Sequence, residues 1–187
     1  MKNLALRQPV VVALFSILFI ALVSPVLQAA SLTDTEKQSL ILMREEEKLA
    51  RDVYQALNVK WNHQRFANIS KSEQQHMNEI KAVLDKYGIA DPAAGKKQGE
   101  FTNRKFTELY AQLVQKGSTS LTNAFTVGIE IEKLDIADLK AALSKTTNTD
   151  VKNVYNNLLR GSENHLKAFS SPSGGNGPSA GPGPRNR

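Results

Sequence analysis

The chain has 187 residues, 41% of them hydrophobic, which suits one globular domain with a substantial core. It contains no cysteine, which excludes disulfides, thiol chemistry and metal sites held by thiolates. The formal net charge is +6, but Lys2, Arg7, Arg185 and Arg187 lie in the terminal segments and the rest of the chain carries only +2. No stripe of basic residues interleaved with aromatic residues remains, which argues against a nucleic-acid-binding protein.

The first thirty residues have the pattern of a secretory signal peptide. Two basic residues precede an apolar run from Val10 to Val23, and small residues follow at Ala29 and Ala30. The alternative is an uncleaved membrane anchor, but the run before Pro25 is shorter than the ~20 residues that a spanning helix needs. We therefore predict a cleaved signal over residues 1–30, a periplasmic or secreted protein, and no stable membrane anchor after cleavage.

The last segment, residues 170–187, is rich in Gly, Pro and Ser and has no apolar residue that could anchor it. Such a segment cannot offset the entropy lost on ordering, so we predict a disordered tail. The folded domain is therefore predicted over residues 31–169.

Between these segments the periodicity is helical almost throughout, which predicts an all-α domain. The first helix opens at Thr33, where Thr33 and Glu36 have the spacing of a capping box, and runs to about Leu57. A linking segment, NVKWNHQRFANI, follows. Its Trp61 and Phe66 are expected to plug one end of the core.

The second helix is predicted from about Asn68 to Tyr87, where Gly88 ends it. The stretch IADPAAGKKQGEFTN reads as a loop, and a short helix, RKFTELYAQLVQK, follows and ends at Gly117. Two more long helices are predicted, one that begins near Ser118 to Ser120 and ends at about Ser144, and one from about Asp150 to Phe169. The long connection between the second and third long helices lets this pair run parallel, as in the crossover type of four-helix bundle.

Every long helix places polar residues on its apolar stripe, where positions recur with steps of three and four. The polar residues that continue such stripes are Glu73 and His76 on the second helix, Glu132 and Asp135 on the third long helix, and His165 on the fourth. On the first helix, Glu46 and Glu47 lie on equally good stripes, and the spacing does not choose between them.

A shared metal site explains this pattern. Burying one carboxylate without a partner costs several kcal/mol, so four helices that each do so need a common cause. Two divalent cations would balance the four carboxylates, and two neutral imidazoles would complete the ligands. The candidate ligands are Glu47, Glu73, His76, Glu132, Asp135 and His165. This combination suits iron or manganese, and helical bundles build such sites from inward-facing Glu and Glu-x-x-His pairs.

Each residue also has a simpler explanation. Glu73 has capping-box spacing to Ser70 if the helix starts there. The histidines can be hydrogen-bonded core residues, the acids of IEIEKLDIADL can form a solvated face, and REEEK is mostly a surface sequence. The remaining expectations are core positions for Tyr54, Tyr87 and Tyr155 and an exposed loop position for His63. Agreement across four helices favours the metal site.

Two of these segments resemble metal-binding helices of a known superfamily. EKLARDVY, Glu47 to Tyr54, resembles the first ligand helix of ferritins and rubrerythrins, which implies Glu47 rather than Glu46 as the ligand. SEQQHM resembles the Glu-x-x-His of their second helix. In order, REEEKLARDVY, SEQQHM, VGIEIEKLDIADL and NLLRGSENHLKAF resemble an uncharacterised bacterial and archaeal domain family of the ferritin-like superfamily, over about Leu40 to Phe169.

The last helix departs from the usual di-iron pattern, because Ser162 stands where a bridging Glu is expected. Asp135, one turn after Glu132, is predicted to replace the missing acid. The resemblance implies a dinuclear iron or manganese centre with a redox, oxygen- or peroxide-handling or metal-handling role, of which a di-metal oxidoreductase is one form. The alternative is a non-catalytic helical scaffold or binding module of the cell envelope, whose polar core is a hydrogen-bond network.

Overall fold

A computed structural model describes residues 31–171, and within this range the chain forms five α-helices and no strand. The helices are α1 (Asp34–Trp61), α2 (Gln64–Lys86), α3 (Arg104–Gly117), α4 (Leu121–Lys145) and α5 (Thr149–Ser170). The all-α prediction is therefore confirmed for these residues. The predicted signal peptide and all but two residues of the predicted tail lie outside the described range.

Among the described helices, none combines the length and the apolar character needed to cross a membrane.

A polar side chain caps the start of every helix by accepting a hydrogen bond from a backbone N–H of the first turn. The five N-cap residues are Thr33, His63, Asn103, Ser120 and Asn148. At Thr33 the predicted capping box is present, because Thr33 Oγ1 accepts from Glu36 N and the Glu36 carboxylate accepts from Thr33 N. The residue directly before each helix thus supplies its cap.

The four long helices pack side by side. α1 and α5 each contact both α2 and α4, while α3 lies across α1 and α4. At each contact, residue numbers rise on one helix as they fall on the other. Between α1 and α2 the pairs are Glu47–His76 and Arg51–Gln74, and between α2 and α5 they are Ser72–His165 and Lys86–Asp150. Between α4 and α5 they are Glu132–His165 and Asp135–Ser162. Between α1 and the α4 end they are Glu36–Thr146 and Tyr54–Glu132. Neighbours are therefore antiparallel, and α2 and α4 run in the same direction, as the long connection between them predicts.

Two apolar clusters fill the interior at different heights along the helices. The first is built around Tyr54, Phe66 and Phe169, and the second around Leu40, Ile80 and Leu158, with further aliphatic side chains in each. Trp61 packs against the first cluster and donates its indole N–H to the Gly117 carbonyl at 3.0 Å. The predicted core positions of Trp61 and Phe66 are confirmed.

The predicted linker between the first two helices is wrong. α1 continues to Trp61 and α2 already begins at Gln64, so Asn62 and His63 alone connect them. Asn62 makes the reversal in the left-handed conformation (φ 46°), which Asn adopts more readily than most residues. The early start of α2 also excludes the capping-box explanation of Glu73, since Ser70 lies inside the helix.

His63 is half-buried and not an exposed loop residue as predicted. Its Nδ1 accepts a hydrogen bond from Arg65 N at 3.2 Å, and its ring packs edge-on against Phe66 and Phe125. Burial and the nearby Arg65 guanidinium lower the pKa of His63, so it caps α2 as a neutral imidazole.

The prediction that REEEK is mostly a surface sequence is also wrong. Arg44, Glu45, Glu47 and Lys48 are buried, and Glu46 is partly exposed. The loop between α2 and α3 covers this face of α1 and supplies its partners. The contacts are Arg44 to the Asp91 carboxylate (2.9 and 3.0 Å), Glu45 to Thr102 N and Asn103 N (2.6 and 3.1 Å), and Lys48 to Lys97 O (2.7 Å). This loop lies about fifty residues along the chain, so no helical pattern within α1 could reveal it.

Glu36 ties the start of α1 to the loop between α4 and α5. Besides its capping box, its Oε1 accepts from Thr146 Oγ1 at 2.5 Å and from Thr147 N and Asn148 N at 3.1 Å. The Thr146 hydroxyl and these backbone N–H groups outweigh burial and lower the pKa of Glu36 to about 2.

We expect Glu36→Gln to lower the free energy of unfolding by about 2 kcal/mol, because an amide removes the charge and turns an N–H toward backbone donors. Urea denaturation at neutral pH measures this loss. Asp34→Asn is the matched control in the same helical turn, since Asp34 is 96% exposed and should change stability by less than about 0.5 kcal/mol. Equal losses in both variants would contradict the role given to Glu36.

Candidate metal centre

All six predicted ligand residues are buried, with exposed fractions from 1% to 9%. They come from four helices: Glu47 from α1, Glu73 and His76 from α2, Glu132 and Asp135 from α4, and His165 from α5. The alternative that the acids of α4 form a solvated face is therefore wrong. Along each helix, these residues lie between those of the two apolar clusters, so a polar layer divides the core.

The Glu73 carboxylate lies between the two imidazoles of this layer. Its Oε2 is 2.8 Å from His76 Nδ1, and its Oε1 is 2.8 Å from His165 Nδ1. The two rings stack with their centroids 5.4 Å apart. One ligand atom from each of Glu73, His76 and His165 falls within 4.8 Å of the others, so this buried group could hold a metal ion.

A second carboxylate flanks each histidine. Glu47 Oε2 lies 3.1 Å from His76 Nδ1, on the α1 side, and Glu132 Oε1 lies 3.6 Å from His165 Nδ1, on the α4 side. The Tyr54 hydroxyl donates a hydrogen bond to Glu132 Oε1 at 2.7 Å, which holds that carboxylate in place.

Tyr54 and Tyr155 are fully buried, as predicted for core tyrosines, while Tyr87 is half-buried.

Ser162 contacts the acid that was predicted to compensate for it. The Ser162 hydroxyl donates a hydrogen bond to Asp135 Oδ2. The other oxygen of this carboxylate, Oδ1, is buried and has no hydrogen-bonding partner among the described residues. A hydroxyl at position 162 thus orients the Asp135 carboxylate from the facing helix.

Two further residues position the imidazoles. His165 Nε2 lies 2.9 Å from the Ser72 hydroxyl, which leaves Nδ1 directed at Glu73. The His76 ring lies against Gly161, where a Cβ atom would come within 2.3 Å of Nε2. Sequence reasoning missed both residues. A signal existed for Gly161, because a glycine inside a helix is costly and often marks a close approach.

Several buried polar atoms of this layer have no hydrogen-bonding partner among the described residues. They are Glu46 Oε2, Glu47 Oε1, both Glu73 oxygens, Asp135 Oδ1 and His165 Nδ1. The short approaches between Glu73 and the imidazoles therefore lack hydrogen-bond geometry, although the distances are short. Unpaired polar atoms that converge in a buried layer are what a bound cation would satisfy, so the residues fit a metal.

Burial and mutual repulsion raise the pKa values of the outer carboxylates. Burial raises the pKa of Glu132 to about 8 and that of Asp135 to about 7, with the Glu73 charge adding to both. Burial also raises the pKa of Glu47 well above its ordinary value, and the Asp135 charge adds to it. These three groups are therefore inclined to keep a proton near neutral pH when no cation is present.

The pKa values of the three central groups shift so that each keeps its charge. Burial would raise the pKa of Glu73, but the two imidazoles outweigh it and lower the pKa to about 2. Burial would lower the pKa of each imidazole, but the carboxylates around them raise the pKa to about 11 for His76 and about 9 for His165. A metal ion must displace these protons, because only neutral imidazole and ionised carboxylate act as ligands.

The fold and this layer define a class of protein, an all-helical domain with a candidate carboxylate–histidine metal site between its long helices. Residues 36–179 match the family described as an uncharacterized protein domain (DUF2202), and the chain belongs to that family. The match contains all six candidate ligand residues. The predicted resemblance to an uncharacterised domain family is thus confirmed.

One archaeal protein is similar to this chain in sequence and in structure. The chain is 54% identical over 138 residues to the uncharacterized protein MJ0754 of Methanocaldococcus jannaschii, covering 74% of this chain and 75% of the relative. The crystal structure of the hypothetical protein MJ0754 from Methanococcus jannaschii matches with a TM-score of 0.73 at 54% identity, covering 74% of this chain and 79% of that chain. A solved structure thus supports the helical fold.

Proposed function

We propose that this protein is a ferritin-like metalloprotein whose four-helix bundle holds two divalent metal ions, iron or manganese, in its polar layer. The observation that carries the proposal is the position of Glu73, whose two oxygens each face the Nδ1 atom of a different histidine at 2.8 Å. Glu73 would therefore help to hold both ions, each together with one of the two histidines.

The distances divide the ligands into two groups that share Glu73. The first group is Glu47, Glu73 and His76, with separations of 3.1 and 2.8 Å, and the second is Glu73, Glu132 and His165, with separations of 2.8 and 3.6 Å. Ligand atoms about 2.1 Å from one ion and at right angles to each other stand roughly 3 Å apart. Glu47, Glu73 and His76 would hold one ion, and Glu73, Glu132 and His165 would hold the other.

Asp135 supplies the fourth carboxylate that two divalent ions need for neutrality. Its Oδ1 lacks a partner among the described residues, and Ser162 holds its Oδ2. Carboxylates with imidazole nitrogen suit iron and manganese, whereas thiolate ligands are absent from the sequence. When bound, such a pair of ions supplies redox chemistry with oxygen or peroxide, or a place to oxidise and hold iron.

The chain's own residues would set the conditions for that chemistry. Tyr54 keeps Glu132 oriented through its hydroxyl, and Ser72 does the same for the His165 ring. The two apolar clusters cover the layer on both sides along the helices. Since the sequence has no cysteine-based electron-transfer module, electrons for turnover would come from another protein or a small reductant. Export of the protein, from the signal-like sequence of residues 1–30, remains part of the proposal.

Elemental analysis tests the metal. Protein purified from a host supplied with iron and manganese should carry about two equivalents of one or both metals per chain, and a Glu73→Ala, His76→Ala double variant should carry none. The double variant Glu79→Ala, Asn78→Ala on the exposed side of α2 is the matched control and should retain the wild-type content.

The opposite result favours the alternative of a non-catalytic helical scaffold or binding module of the cell envelope. If wild-type protein takes up no metal even when reconstituted with ferrous or manganous ions under anaerobic conditions, the layer is a protonated hydrogen-bond network. The outer carboxylates, whose pKa values are raised, would then stay protonated near neutral pH.

A further inference from the structure

A pocket of about 190 Å³ opens between α1, α3 and α4, beside the polar layer. Its walls are aliphatic side chains of these three helices: Leu49, Leu109, Leu113, Ile131 and Leu134. Leu113 and Ile131 are buried, whereas Leu134 is 47% exposed, so the pocket reaches from the surface into the core. It lies on the side of the four long helices that the short helix α3 covers.

Three acidic residues complete the lining: Glu46, Glu130 and Asp135. Glu130 is exposed and already paired with Lys116, with N–O distances of 2.5 and 2.8 Å. Glu46 and Asp135 differ, because each has a buried oxygen without a hydrogen-bonding partner among the described residues. The pocket thus joins an apolar wall to two carboxyl groups with unused bonding capacity, and one of them is a candidate metal ligand.

We propose that this pocket is a binding site for a small uncharged molecule with an apolar body and one hydrogen-bonding group, held next to Glu46 and Asp135. The role of that molecule as a substrate rests on the proposed function, because it would lie at the edge of the metal centre. Its binding does not require a metal and can be measured without one.

Size and polarity decide the class of ligand. A cavity of roughly 150 Å³ with aliphatic walls binds benzene or xenon, so the volume here suits a molecule of that size. An anion is disfavoured because the charged residues that line the pocket are acidic. A hydrated cation would lose its water against leucine and isoleucine walls that offer no ligand atoms, so the pocket is poorly built for metal entry.

Probe binding to metal-free protein tests the proposal. Benzene and phenol are titrated into the chelator-treated full chain while the methyl NMR signals of leucine and isoleucine are recorded. We expect saturable shifts at Leu113 and Ile131 and none at Leu40 or Leu158 of the other cluster. Phenol should bind about fivefold more tightly than benzene, because its hydroxyl reaches an unpaired carboxyl oxygen.

Variants that fill the pocket should weaken probe binding at least ~tenfold. Leu109→Trp fills it from α3, and Leu134→Trp does so from its exposed side, where a larger side chain does not threaten folding. The control is Val59→Trp on a residue that is 86% exposed and outside the pocket, and it should leave binding unchanged.

The outcomes distinguish failure of this pocket proposal from failure of the proposed metal centre. Saturable probe binding that only the filling variants weaken supports the pocket, even if elemental analysis finds no metal. Absence of saturable binding overturns it, even if two metal equivalents are present. If no probe binds and Leu134→Trp alters the oligomeric state, the proposal is overturned and this face is a contact between copies of the chain. If no probe binds and Leu109→Trp slows manganese loading, the proposal is overturned and the pocket is a route for cations.

Discussion

Glu73→Gln is expected to lose both metal ions, whereas Glu47→Gln and Glu132→Gln are each expected to lose one ion and keep the other. Each Glu73 oxygen lies 2.8 Å from a different imidazole nitrogen, so both proposed ion positions depend on this carboxylate. Glu47 and Glu132 each approach only one histidine. An amide cannot bridge two cations, because its nitrogen does not act as a ligand.

Metal content per chain and calorimetric titration with manganous ion measure this difference. The loss of affinity in Glu73→Gln should exceed the roughly 10- to 100-fold that removal of an outer hydrogen-bonding partner of a ligand costs. Glu79→Gln, on the exposed side of the same helix, is the matched control and should bind both ions as wild type does. Equal metal content in the three site variants would contradict a shared carboxylate at the centre.

The second large effect is an acid-shifted stability maximum in the metal-free protein, near pH 5. The raised pKa values of Glu132 (about 8), Asp135 (about 7) and His165 (about 9) mean that the folded protein holds protons that the unfolded chain, with ordinary values of 4.5, 3.8 and 6.5, releases. Folding therefore takes up protons between about pH 9 and pH 5. By linkage, stability rises as the pH falls through this window.

Below pH 4.5 the stability of the metal-free protein falls as the pH falls. Glu36 and Glu73 have pKa values lowered to about 2 from an ordinary 4.5, so they stabilise the fold above pH 4.5 and this contribution is lost as the pH falls toward 2. The Thr146 hydroxyl and backbone N–H groups lower the pKa of Glu36, and the two imidazoles lower that of Glu73. The two sets of groups together place the maximum between their windows.

Urea denaturation from pH 4 to pH 9 at constant ionic strength, with chelator present, measures this profile. One proton of difference over two pH units is worth about 2.7 kcal/mol, which sets the smallest rise expected between pH 8 and pH 6. With saturating metal the trend should reverse, because protons compete with the ions for the same ligands. A metal-free protein that is most stable above pH 7 would contradict the predicted protonation of the layer.

Much of the fold follows from local sequence. The periodicity of apolar residues predicts the five helices, and the caps at Thr33 and Gly117 place two of their ends correctly. The pairing of Glu73 with His76 is also local, since residues three apart lie on one face of a helix. Helix spacing alone therefore identifies the polar stripes that meet in the core.

Contacts between segments that are distant in sequence do not follow from helix periodicity. Glu46 and Glu47 lie on equally good stripes, and the resemblance to ferritins, not the spacing, favoured Glu47. The structure places Glu47 against His76, while Glu46 lines the neighbouring pocket. The rotation of α1 about its axis decides this, and the loop that packs over Arg44 and Lys48 is part of what sets that rotation.

The sequence by itself thus determined the helices and the polar residues on their inward stripes, because a repeat of 3.6 residues is a property of each segment alone. Tertiary structure decided which of these residues meet, as with Ser162 on Asp135, Ser72 on His165 and the close approach of His76 to Gly161. It also decided that a pocket lies beside them. The reason is physical: the register and rotation of one helix against another come from packing over the whole interface, which no single segment encodes.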